Sequence, residues 1–426
     1  MNAKIIPISL ICFLFSYIFY SCEDSTYKEY KGNTPVYLSY DNLRNGVSTE
    51  QNVDLKNPGK IYFKDNFIFI VEELQGIHVF DNTDPSAPVK KNFIKVPGIV
   101  DMAISGNVMY TDSYVDLVIL DLQNIDNIHE VGRMKDIIPY TVPPTGNEYP
   151  MGYVDQEKGV VISWELKTIR EKVYNNPSPY PIYYTDKAEY YTFNSVSSSG
   201  VSGNGIGIGG SMARFGIKDK VLYLLGDNTL KIIDITTKTS PIETNNLYPG
   251  ATVETMFLTS KNMFLGTTTG MVIYDISVPL SPASRVLFNH ARSCDPVIVD
   301  DTLAYVTLRT GTSCGGTLNN LDVVNIKDLS HPFQVITYPM TNPHGLGKSG
   351  DILFVCDGSA GLKIFDASNP KLLLSHVIST YPNINAYDVI PLGSVLVMIG
   401  DDGLYQYNYA NILNITLLSK ISVAKN

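Results

Sequence analysis

The sequence predicts an all-β fold, a seven-bladed β-propeller of four-stranded antiparallel blades, and three observations carry that expectation. A short apolar segment ending in Asp or Asn recurs seven times, and its anchors Asp81, Asp121, Asp234, Asp275, Asn325, Asp366 and Asn408 stand 40, 113, 41, 50, 41 and 42 residues apart. A period near 40 without helical patterning is the length taken up by four short strands and their turns. The recurring segment, as in Gly361–Asp366 (GLKIFD), is apolar at nearly every position, so both faces of its sheet must be covered. Blades stacked around an axis supply that cover, whereas one blade alone could not bury its own faces.

The last repeat shows the unit plainly: Tyr387–Leu392, Val395–Ile399, Leu404–Asn408 and Ile415–Val423 read as four successive strands. A Gly opening the third strand suits a turn with positive φ, and the Asp, Ser, Asn and Pro that follow it cap and fix the next turn.

Taken from the start, residues 1–21 read as a targeting segment. Lys4 precedes an apolar run, and Phe19-Tyr20-Ser21-Cys22 resembles a lipoprotein cleavage box, which makes Cys22 the candidate lipidation site. Residues 22–58 read as a polar tether, within which Val36–Tyr40 is expected to pack on the ring as an extra strand. The propeller is assigned to 59–426, with blade one over Gly59–Ile94 and blade two over Val100–Ile137. The 113-residue interval exceeds one period by about 70 residues, so an insertion is placed at about 141–210, with an eighth blade as the alternative. Within it Gly159–Trp164 reads as strand, and Tyr174–Gly210 as a loop rich in Tyr, Pro, Ser and Gly. Later blades begin near Met212, Glu254, Asp295, Gly345 and Tyr387, and the final strand closes the ring laterally against blade one.

The segments Leu117–Asp121 (LVILD) and Gly361–Asp366 resemble the signature of the LVIVD-repeat family of bacterial β-propellers. That resemblance implies a propeller in an extracytoplasmic setting and no shared reaction. The acidic pair Glu23-Asp24 behind Cys22 resembles the signal that sends Bacteroidetes-type lipoproteins to the cell surface, so the expected location is the outer membrane, lipid-anchored.

A net charge of -10 without a long Lys/Arg cluster argues against a nucleic-acid partner. With Cys12 in the targeting segment and Cys22 at its end, Cys294, Cys314 and Cys356 remain. Cys294 and Cys314 fall at one end of blade five and form the candidate disulfide, while Cys356 reads as core. No CxxC-type spacing, G-x-S-x-G, H-E-x-x-H or P-loop is present, and no cofactor is expected.

The starts of first strands and the loops between second and third strands share one face of such a ring. That face collects Asp101, Asp112, His290, Arg292, Asp295, Arg309, His344, Asp357 and Asp401. The functional reading is a ligand or metal pocket at the mouth of the central channel. Against it, Asp101, Glu254 and Asp388 recur about 20 residues before their anchors, and Asp112 and Asp357 nine before, as carboxylates that hold strand ends would. The function expected is a non-enzymatic envelope binding or assembly module taking an envelope protein or glycan, with a propeller glycan hydrolase or lyase as the alternative. Tyrosines concentrated in the insertion (Tyr174, Tyr180, Tyr183, Tyr184, Tyr190, Tyr191) could stack on sugars or form a protein-contact patch.

Overall fold

The computed structural model describes residues 27–172, 208–209, 213–226, 228–267, 269–289, 296–310 and 318–424. Seven four-stranded antiparallel blades follow one another along the chain. Blade one comprises Pro58–Lys64, Phe67–Glu72, Gly76–Asp81 and Val89–Lys95, and blade two Met102–Ser105, Val108–Ser113, Asp116–Asp121 and His129–Met134. Blade three runs from Phe215 to Leu247, four from Val253 to Asn289, five from Val297 to Pro339, six from Leu346 to Tyr381 and seven from Ala386 to Ser422. First strands contact first strands from blade one through blade seven, so they line the axis and the fourth strands form the outer wall.

The interfaces explain the continuous apolar run of the third strand. In blade two, Leu117 and Ile119 join Phe215, Leu222 and Leu224 of blade three, while Val118 and Leu120 join Phe69, Val71 and Ile77 of blade one. Each blade–blade interface holds such a cluster, so truncating one of these buried aliphatics costs about 2–5 kcal/mol.

The anchors share one hydrogen bond. Oδ1 of Asp81, Asp121, Asp234, Asp275, Asn325, Asp366 and Asn408 accepts the backbone N–H two residues on, at 2.7–3.0 Å. This Asx turn needs a carbonyl oxygen and no charge, which is why Asn serves at two of the seven. The glycine that opens the third strand needs a different explanation from the one its turn suggested. Gly361 and Gly403 have positive φ, but Gly76 and Gly270 do not. At all four, a Cβ would collide with a fourth-strand carbonyl, that of Tyr381, Ile421, Ile94 or Phe288, so the common requirement is close backbone approach.

The segment expected to be a tether is structured from Tyr27 onward. Tyr27–Leu38 pairs antiparallel with Val160–Lys172 in a separate two-stranded ribbon, so Val36–Leu38 joins the insertion rather than the ring. A short helix, Tyr40–Arg44, follows, with Ser39 Oγ accepting from Asn42 N. Ser48–Glu50 then adds to the outer edge of blade one. At its inner edge Ile208–Gly209, within the segment expected to be loop, pairs with Phe63 and Tyr62, bringing the insertion back to the axis before blade three begins. The remaining part of the Tyr-rich stretch lies outside the described residues.

Ring closure involves no exchange of strands. Blade seven packs Ile390, Val397, Ile399 and Leu404 against Ile61, Ile68 and Ile70 of blade one. Gln406 exchanges side-chain hydrogen bonds with Asn82, Ser419 Oγ donates to Pro85 O, and Ala424 N donates to Leu55 O at 2.7 Å.

Candidate functional site at the channel mouth

The carboxylates nine residues before their anchors share a structural task. Asp112 Oδ1 accepts the backbone N–H groups of Val100 and Asp101 at 2.8 and 2.9 Å. Asp357 accepts those of Thr341 and Asn342, and also the ammonium of Lys363 at 2.6 Å. Glu72 stands at the same repeat position and accepts from Lys56 and Asn57 N–H. Each thereby fixes the loop that enters the first strand of its blade.

At the start of the first strands, blades one to four present Lys60, Asp101, Arg214 and Glu254, alternating in sign. Lys60 and Asp101 form a buried ion pair of 2.8 Å. Asp101 Oδ2 also accepts the N–H of Arg214 and Phe215, which joins blade two to blade three. Burial lowers the Lys60 ammonium, against the opposing pull of Asp101. Glu254 is pushed up to about 7 by burial, although Arg309 and Arg214 both draw it down. Burial lowers Arg309 to about 10, with Glu254 opposing.

Arg309 Nη1 lies 2.8 Å from His344 Nδ1. Burial, and then the Arg309 charge, depress His344 to about 3, so the ring is neutral and Nδ1 is the acceptor. Its other nitrogen lies 3.2 Å from the Asn342 amide, and its ring centroid 5.4 Å from that of Tyr387. The structure thus joins Asp101 with Asp112, and Arg309 with His344 and, through Asn342, Asp357. Glu254 lies electrostatically between the two groups. Asp401 is exposed in the turn of blade seven, where its charge raises Tyr387 after burial has done so. His290, Arg292 and Asp295, and the proposed Cys294–Cys314 pair, lie outside the described residues. Cys356 is a buried free thiol, as expected. No cluster of His, Cys, Asp and Glu suited to a metal occurs among the described residues.

Lys60 and Arg214 escape a sequence reading that counts only recurring carboxylates, and Glu72 one that counts only Asp at its offset. The signal was the offset: Lys60 and Arg214 occupy the position of Asp101 and Glu254, and Glu72 that of Asp112.

A cleft of about 40 Å³ opens beside Asp112 and Arg214. Its walls are Leu74, Val100, Ile138, Val142 and Val161, with the ring of Tyr114. Tyr114 packs flat against the backbone at Gly98, where φ is +83° and no Cβ would fit. The ribbon base forms one side: Leu38 and Val160 pack with Leu43, Val115 and Tyr140. Arg44 of the helix donates to both oxygens of the buried Asp116, at 3.0 and 3.2 Å, and holds that base on the turn of blade two. Asp112 is pushed up to about 6 by burial, which outweighs its two backbone donors.

The LVIVD repeat matches residues 216–247 and 347–375, which correspond to blade three and most of blade six. The chain is a seven-bladed propeller containing LVIVD repeats. The second match includes the Gly361–Asp366 signature, whereas Leu117–Asp121 lies outside both. No curated protein matches the chain. Among solved structures, the computationally designed protein Ika8 is 9% identical at a TM-score of 0.49, over 88% of this chain and 92% of that one. BamB from Moraxella catarrhalis is 9% identical at 0.47, over 92% of each chain. Sqt1 from Saccharomyces cerevisiae is 11% identical at 0.47, over 92% of this chain and all of that one. Likenesses this distant say nothing of function.

Proposed function

We propose that the protein is a non-enzymatic, lipid-anchored binding or assembly module of the cell envelope, and that the ribbon is the element that meets its partner, an envelope protein. The observation that carries this reading is the ribbon itself. Residues 27–29 and 165–168 are exposed on both faces of the sheet, including Tyr27 at 47% and Leu166 at 46%. No further strand covers either edge among the described residues, apart from a bridge at Asn33–Met151. A two-stranded sheet alone in water is marginally stable, and open edges are templates for an added strand. A partner strand would complete it and supply main-chain hydrogen bonds. The ribbon starts five residues after Cys22, so lipidation there would hold it close to the membrane surface.

The test is site-specific photo-crosslinking in the native envelope, with the full-length chain carrying the crosslinker at Leu166 or, as a comparison, at the exposed Leu413 of blade seven. A discrete adduct from Leu166 alone is expected. Equal labelling from both sites, or none from either, would remove the ribbon as the contact element. Mass analysis of the mature amino terminus, with Cys22→Ala as control, checks the anchor.

A further inference from the structure

We propose that the cleft beside Asp112 binds the terminal residue of a neutral glycan, a role that does not depend on the ribbon's partner. The first reason is a buried acceptor with spare capacity. Asp112 is only 9% exposed and lines the cleft, yet both of its side-chain hydrogen bonds fall on Oδ1, and Oδ2 receives none from the described residues. That oxygen is not one of the sealed, partnerless polar atoms of the described residues, so it is open to a donor that arrives through the cleft.

The second reason is the company it keeps. Arg214 lines the same cleft and its charge acts on Asp112. Its Nη2 donates to Leu225 O at 3.2 Å, and the guanidinium, with five N–H donors and no acceptor, complements an acceptor-only carboxylate. A free ammonium would meet the Arg214 charge, and a ligand carboxylate would meet that of Asp112. A neutral group with adjacent hydroxyls suits both, since one hydroxyl can donate to Oδ2 while a neighbouring oxygen accepts from the guanidinium. The walls are apolar, with Val100, Val142, Val161 and the Tyr114 ring available to the C–H face of a sugar.

The third reason is size. Room of about 40 Å³ takes one or two water-sized groups, so only a hydroxyl edge of the ligand can enter and the rest lies outside. The cleft sits between the ring and the insertion, with Val161 and Ile162 of the ribbon on one side and the loop before blade two on the other.

The experiment is ligand-observed NMR on the intact protein with a panel of neutral methyl glycosides, and with n-butylamine and acetate as charged probes. Two variants accompany it. Asp112→Asn keeps the Oδ1 acceptor for Val100 and Asp101 while removing the second carboxylate oxygen, and Ile162→Trp fills the entrance from an exposed position. At least one glycoside is expected to bind at millimolar concentration, to weaken about tenfold or more in Asp112→Asn, and to be lost in Ile162→Trp, while Ile162→Trp keeps the wild-type melting temperature and Asp112→Asn melts no lower than wild type. Absence of binding by every glycoside, binding that neither variant alters, or preference for either charged probe would overturn the proposal. Crosslinking from Leu166 should be unchanged in Asp112→Asn, so the two proposals fail separately.

Discussion

At the scale of single residues, the anchors and the glycines show how little of a side chain a repeat needs to keep. Since the Asx turn uses only Oδ1, Asp366→Asn should keep the turn and lower the urea midpoint only slightly, through loss of the charge that Ser368 favours, whereas Asp366→Ala should lower it further. Gly361→Ala should be more damaging. It combines positive φ with a carbonyl collision against the fourth strand, and a loss of about 1–3 kcal/mol by urea denaturation is expected. These positions were legible in the sequence because they recur. The reason for the glycine was not, since positive φ and close approach leave the same letter. The alternation of Lys60, Asp101, Arg214 and Glu254 was written at one repeat offset too, but a reading that looked only for carboxylates passed over half of it. The buried pair within that series gives a sharp test. Lys60→Met should cost about 3–5 kcal/mol in denaturation experiments by leaving Asp101 without its cation, and adding Asp101→Asn should restore much of it.

At the scale of elements, the blades were readable and the additions to them only in part: Val36–Tyr40 and Gly159–Trp164 read as strand, and Val36–Leu38 and Val160–Trp164 are, but their pairing with each other was not legible. Each blade announces itself by seven-fold repetition, and the ends of the last blade's strands fall within a residue or two of their expected places. The ribbon, the short helix and the strand Ser48–Glu50 occur once each, so no period marks them, and their pairing partners lie far away in sequence. What seats the helix is again local chemistry. Burial would raise the Asp116 carboxyl, but Arg44, the Asp136 N–H and Arg133 together hold it below the usual value. Its stabilising contribution is therefore present above the unfolded carboxylate range and is lost as pH falls through the lower folded value. Arg44→Ala should loosen the helix and ribbon base without opening the blades. Chymotrypsin is then expected to cut near Tyr40 and Leu43 in the variant while the propeller core stays intact on a gel.

At the scale of the whole molecule, the channel mouth sets how stability responds to pH. Burial pushes Glu73 and Glu254 up to about 7 and Asp112 to about 6, so all three bind protons more tightly in the folded chain than in the unfolded one. Their contribution is complete below the unfolded carboxyl range near pH 4 and fades as pH rises through the folded values. Asp81, Asp234, Asp275 and Asp366, held low by hydrogen bonds from their turn residues, act in the opposite direction at still lower pH. His344, depressed to about 3, opposes the three raised carboxyls over the same range, because the unfolded histidine takes up a proton that the folded one refuses. Three carboxyls outweigh one histidine, so thermal melts should show higher stability near pH 5 than near pH 8, with Glu254→Gln flattening that slope. The ring closes by packing between its first and last blades, and the sequence foretold this because no strand was missing from either end. The ribbon adds a mechanical property. Its Tyr27 end is paired with Lys172, so tension applied through the residues before Tyr27 breaks the hydrogen bonds one after another rather than all in shear. The twelve residues already span about 40 Å as a strand, so peeling frees a leash of that length without lengthening it. A propeller held at its amino terminus thus has a compliant leash that yields before any blade is strained.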